Sequence, residues 1–175
     1  MPLTLHAAII PNWLQSLGAT ARLLDRAEQW SGEAGMSEGE ILGARLADDM
    51  LPLAYQFTSC CNHSAYAIER CREGHFTPQT NPPPMKFAEL RAMVQEAIGT
   101  LTAVTPQELE DIAGNDMIFS FGETMRLEFT VQDFLLSFSN PNLFFHAATA
   151  YDILRMKGMP LSKRDFMGAA RVKQG

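Results

Sequence analysis

Between Leu51 and Cys71 the chain reads LPLAYQFTSCCNHSAYAIERC, a stretch that is apolar around much of a helical circumference. A surface helix carries one apolar stripe, whereas a helix apolar on most sides must be covered on most sides. This segment therefore predicts a helix at the centre of the fold, with other helices packed around it. Pro52 lies just inside its start.

Three further stretches supply the partners. Trp13, Leu14, Leu17, Ala21, Leu24 and Ala27 recur at helical spacing. They predict a long first helix from about Asn12 to Trp30, with Pro11 near its start, where a missing N–H costs little. Phe87, Leu90, Val94, Ala97, Ile98 and Leu101 predict a third. Thr130 with Asp133 opens a last helix that runs to near Gly158. Ser37 and Glu40 form the S-x-x-E pattern of a capping box, which marks a short helix between the first and second long ones.

The connections read differently. In HFTPQTNPPPM, Pro78 and Pro82 to Pro84 exclude both helix and central strand. In DMIFSFGETMRLEFT the apolar period changes to two: Phe119 and Phe121 flank Ser120, and Met125, Leu127 and Phe129 alternate after Gly122-Glu123. That pattern predicts a two-stranded hairpin. The tail MPLSKRDFMGAARVKQG is basic and reads as irregular, either lying against the helices through Phe166 or partly mobile. Burying four amphipathic helices against one another gives an all-α fold, a four-helix bundle with a small β-hairpin between the third and fourth long helices. The expected organisation is one domain over residues 1–168 and a C-terminal tail, 169–175.

Charge and cysteine usage narrow the function. The net charge of -6 makes nucleic acid a poor partner, since phosphate binding needs clustered Lys and Arg. No apolar run reaches about 18 residues, so no membrane span is expected. The start, MPLTLHAAIIPNW, has no basic region ahead of its apolar run, which argues against a secretory signal. Cys60, Cys61 and Cys71 are odd in number and form no C-x-x-C. Free thiols in a reducing, cytoplasmic setting fit them best, as small buried hydrophobes.

The residues able to carry chemistry fall on two helices. Gln56, Cys60, His63 and Ala67 share a face of the second long helix, and Asn142 and His146 share a face of the last. Bundles build sites from side chains on facing helices, so the expected catalytic constellation is His63, His146 and Asn142. An imidazole could act as general base or acid because its ordinary pKa lies near neutrality. Asn142 could donate a hydrogen bond to a carbonyl or enolate oxygen. The competing reading is that each histidine is a core residue bonded to a carbonyl or hydroxyl. A Cys60–His63 thiol–imidazole pair lacks a third, orienting group. His6 and His75 read as surface or loop residues. No phosphate loop, dinucleotide fingerprint, H-E-x-x-H or G-x-S-x-G occurs.

Three segments in order, ARLADDMLPLAYQFTSCCNHS, PNLFFHAATAYDILR and GMPLSKRDFMG, resemble a branch of the DinB/YfiT-like superfamily known mainly as a domain of unknown function. The resemblance runs from about Leu3 to Gly168. It implies an up-down-down-up four-helix bundle and a divalent metal held by three histidines, one from the second helix and two, four residues apart, from the last. His63 and His146 match two of these ligand positions, and Asn142 stands at the third. An amide oxygen is a poor ligand for zinc, so zinc, nickel or manganese would be held weakly. Relatives in the superfamily resemble thiol-dependent transferases and isomerases, which leans the expectation toward an enzyme acting on a small organic molecule. The alternative is a non-catalytic helical homodimer whose buried histidines are structural.

Overall fold

The computed structural model describes residues 2–173. Met1, at the start of the expected domain, and Gln174 and Gly175 of the expected tail lie outside the described residues. The first helix, α1, spans Leu5–Glu33 and so begins seven residues before the expected Asn12. Two features pull the chain into helix early. Thr4 caps the first turn by accepting a hydrogen bond from the Ala7 N–H at 3.1 Å, and Leu5, Ile9 and Ile10 are buried. Pro11 consequently sits in the second turn, inside the helix rather than at its start.

A short helix, α2 (Glu38–Leu42), follows on the expected capping box of Ser37 and Glu40, with both reciprocal bonds present. The second long helix is a composite: α3 (Leu53–Cys61), a π-helical segment, π1 (Asn62–Tyr66), and α4 (Ala67–Glu73). Gly74 ends it in the left-handed region, at φ 72°, where a Cβ would lie 3.2 Å from the Asp116 carbonyl oxygen. The third is α5 (Phe87–Ala103), trailed by α6 (Pro106–Ile112), which Thr105 caps. The last long helix is again composite: α7 (Val131–Asp133), π2 (Phe134–Ser139) and α8 (Asn140–Met156). Thr130 caps it, as expected, by accepting from the Asp133 N–H at 3.2 Å.

The expected hairpin is present as β2 (Asp116–Phe121) and β3 (Met125–Thr130), paired antiparallel. A third strand, β1 (His75–Phe76), joins β2 in parallel, so the sheet has three strands in the order β1-β2-β3. The fold is thus mostly helical with a small sheet, not purely α. A two-residue strand is too short to leave a periodicity in sequence; it forms because Gly74 turns the chain alongside β2. His75 is an exposed strand residue bonded to Ser120 Oγ at 2.8 Å. His6, expected at the surface, lies in α1, half-buried, with Nε2 3.0 Å from the Val104 carbonyl oxygen.

The tail also departs from expectation. Ser162 and Asp165 form a second capping box, which makes residues Lys163–Met167 a short helix, α9, against α1. Tyr151 packs edge-on against Phe166 at 6.2 Å, the contact expected of that phenylalanine. The core lies where α1, α3, α5 and α8 meet, around the fully buried Trp13, Leu17, Leu24, Phe57 and Phe87. Among the described residues no helix is long and apolar enough to cross a membrane.

Candidate functional site

The two π segments have local causes. In π1 the Ser64 hydroxyl donates to the Cys60 carbonyl at 2.6 Å, taking an acceptor that a backbone N–H would otherwise use. The backbone opens beside it, and His63 leaves helical geometry at φ -87°, ψ 16°. In the last helix Pro141 has no N–H and its ring would crowd the Ser137 carbonyl of a regular helix. The wider turn of π2 immediately before it relieves that clash. Side chains take up two backbone acceptors there: Ser137 Oγ donates to the Asp133 carbonyl at 2.5 Å, and Asn142 Nδ2 to the Phe138 carbonyl at 2.8 Å. π-helical bulges gather at functional sites.

These openings bring His63 and His146 face to face. Their rings lie 5.7 Å apart, centroid to centroid, and within 11° of parallel. His63 also stacks on Phe76 at 5.7 Å and meets the Phe138 ring at 5.9 Å. Tyr55 and Phe145 stand edge-on to His146 at 6.0 and 5.3 Å. Both histidines are half-buried. The sequence-based pairing of the second and last helices through these two residues is therefore what the fold contains.

Asn142 does not join them in the expected way. It shares a helix face with His146, but its amide nitrogen is engaged with the Phe138 carbonyl. One N–H of the amide is thereby used, and its second N–H and its oxygen have no partner among the described residues.

Gln56, on the shared face in sequence but not among the expected site residues, fixes the protonation of His146. Its Nε2 donates to the Leu51 carbonyl at 2.8 Å, which orients Oε1 toward His146 Nδ1, also at 2.8 Å. An amide oxygen can only accept, so Nδ1 carries the proton and Nε2 keeps its lone pair. Gln56 is almost fully buried, at 2% exposure, so this orientation is held by packing as well as by hydrogen bonds. A buried glutamine amid apolar neighbours on the same face as His63 was the available sequence signal.

His63 has the opposite problem. Its Nδ1 is buried and has no hydrogen-bond partner among the described residues. A core histidine kept for structure has such a partner, so the structural reading fits His146 better than His63.

The electrostatics correct a second expectation. Neither pKa lies near neutrality: burial, and then the neighbouring His146, push His63 down to about 3. Burial pushes His146 down to about 4. Both rings are neutral at physiological pH. The thiols are inert for a related reason, since burial pushes Cys61 and Cys71 up to about 12 and Cys60 further still. All three are free and buried, which removes the Cys60–His63 nucleophile reading.

The ligand set the resemblance implies would offer a divalent metal two imidazoles, those of His63 and His146, and the amide oxygen of Asn142. No cluster of three or more His, Cys, Asp or Glu side chains that could hold a metal occurs among the described residues. Catalytic zinc sites draw three protein ligands from those types, so the donor set fits a metal poorly. The chemistry below is built on the imidazoles alone.

Residues 5–167 match DUF1993, a domain of unknown function. The crystal structure of a DinB family member protein from Shewanella denitrificans superposes with a TM-score of 0.81. It is 24% identical, over 98% of this chain and 96% of that one, a likeness of fold. Among proteins of curated function, none matches this chain.

Proposed function

The chain belongs to the DUF1993 family, and from that premise we propose that it is a small-molecule enzyme or binder. Its centre is the stacked His63–His146 pair, set in a four-helix bundle of up-down-down-up order. The observation that carries this reading is the buried, unpartnered Nδ1 of His63, on a ring stacked with that of His146, whose own Nδ1 is engaged by Gln56 and whose Nε2 makes no hydrogen bond among the described residues. An unpaired buried polar atom costs about 1–3 kcal/mol, which a ligand supplying the missing partner would recover.

The site selects by chemistry. Aromatic rings of Phe76, Phe138, Phe145 and Tyr55 favour an apolar or aromatic body. The lone pair of His146 Nε2 favours a ligand with an O–H, N–H or S–H donor. Gln56 acts as a positioning residue, and Asn142, on the same face of the last helix as His146, is the candidate polar group beyond the pair. With its pKa held down, His146 is unprotonated at neutral pH and ready to accept a proton. The same depression makes it a weak base, so it suits a donor whose proton is already acidic.

His146→Ala is expected to abolish turnover or ligand binding while leaving the far-ultraviolet circular dichroism unchanged. Full activity in that variant would overturn the assignment.

A second reading, the homodimer, draws on apolar side chains left exposed on the last helix and hairpin: Leu136, Phe145, Phe121 and Met125. Native mass spectrometry of untagged protein reads this and the metal together. The donor set predicts well under one zinc, nickel or manganese per chain, and the apolar surface predicts a species of two chains. A stoichiometric metal would return the site to metal-assisted chemistry, and a monomer at micromolar concentration would remove the dimer.

A further inference from the structure

A second site lies between α1 and the C-terminal segment, and it shares no residue with the histidine pair. A cavity of about 300 Å³ is lined there by Arg22, Arg26, Arg164, Asp165 and Gly168, among others. That volume is at the lower end of small-molecule pockets, roughly 300–1,000 Å³. Three guanidiniums facing one cavity are unexpected in a chain of net charge -6.

The partners of these arginines explain why two remain free. Arg26 is ion-paired with Asp165, and its other nitrogen donates to the Pro160 carbonyl at 2.9 Å. The second oxygen of Asp165 accepts from the Ser162 N–H and hydroxyl at 2.7 and 3.0 Å. Asp25 and Glu28, the acids of α1 that flank Arg26 in sequence, both pair with Arg91 of α5. No carboxylate within ion-pair distance of Arg22 or Arg164 is present among the described residues.

The wall opposite α1 is fixed rather than draped. Gln15 Nε2 donates to the Met167 carbonyl at 2.8 Å, and Arg171 reaches the Pro11 carbonyl and Asn12 Oδ1 at 2.8 and 2.6 Å. At Gly168, with φ +68°, a Cβ would lie 2.8 Å from Arg22 Nη2 and 3.2 Å from the Gln15 carbonyl oxygen. The chain therefore passes close enough to hold the Arg22 guanidinium against the cavity mouth.

We propose that this cavity binds a small phosphate-bearing anion through Arg22 and Arg164, with Arg26 held behind them by Asp165. The planar guanidinium fork matches phosphate oxygens in pairs, which a lysine would not do. Because the two arginines are exposed, binding weakens as salt is added.

The test is calorimetric titration of inorganic pyrophosphate into the full-length protein at low ionic strength. One saturable site is expected in the wild type. Arg22→Gln and Arg164→Gln should each weaken it by about tenfold or more, with circular dichroism unchanged. Arg126→Gln on β3, whose partner is Glu128, is the control for loss of one positive charge elsewhere and should bind as the wild type does. Absence of saturable binding would overturn the proposal. So would wild-type affinity in both cavity variants, or an equal loss in Arg126→Gln.

Discussion

Acidification from about pH 7 to about pH 4 is expected to remove on the order of several kcal/mol of folding stability, with His63 and His146 as the cause. In the unfolded chain both imidazoles take up a proton near the ordinary value of 6.5; in the fold they resist it down to about 3 and about 4. The unfolded state therefore binds more protons as pH falls below 6.5, and folding weakens. Each histidine contributes up to about 1.4 kcal/mol of loss per pH unit inside its window. The loss begins at pH 6.5 and ends once the folded form is itself protonated, near 4 for His146 and near 3 for His63. Carboxylates with lowered pKa, such as Asp165, act later, below their ordinary value of 3.8. Urea unfolding at several pH values separates the two ranges. The midpoint should fall steadily from pH 6.5 to pH 4.5 in the wild type, and much less in a His63→Phe, His146→Gln double variant. A flat wild-type profile over that range would mean the rings are already charged in the fold.

The second large effect concerns how the last helix is held. Trp13 is fully buried, and its indole Nε1 donates to Asn140 Oδ1 at 2.9 Å. Asn140 begins α8, just after the π2 segment, so this bond ties α1 to the place where the last helix changes geometry. Trp13→Ala removes the largest core side chain and the bond together, with an expected cost of about 3–5 kcal/mol. Trp13→Phe keeps most of the packing and loses the hydrogen bond, with an expected cost of about 1–2 kcal/mol. Chemical denaturation with an unchanged dependence on denaturant would report these as stability differences. A cost for Trp13→Ala below about 1 kcal/mol would mean the site can collapse around the missing ring, against the packing seen here.

Much of this arrangement was legible in sequence, for identifiable reasons. The Ser37–Glu40 box, the Thr130 cap and the apolar spacing of α5 are local signals, and each element formed where its signal stands. The meeting of His63 with His146 was legible because both lie on the inward faces of apolar helices. The start of α1 was misplaced because Pro11 suggests a boundary, whereas burial of Leu5, Ile9 and Ile10 carries the helix past it. The helix in the tail was missed although Ser162 and Asp165 repeat the capping pattern recognised at Ser37, with Asp in place of Glu. The π segments leave no period of their own, since one inserted residue barely disturbs an apolar pattern. Yet Pro141 inside a long helical stretch was a sign that the helix had to widen before it. The pKa depression was not legible at all, because it depends on how much water the fold excludes from two rings that are distant in sequence.

The central claim is that His146 presents a bare, unprotonated Nε2 because Gln56 holds the proton on Nδ1. Long-range proton–nitrogen correlation spectra of the imidazoles read this directly, residue by residue once His146 is assigned with a His146→Gln variant. At a pH of about 6 the account predicts a neutral ring with the hydrogen on Nδ1, and loss of that tautomer preference in Gln56→Leu. A ring already protonated at that pH, or one carrying its hydrogen on Nε2, would contradict it.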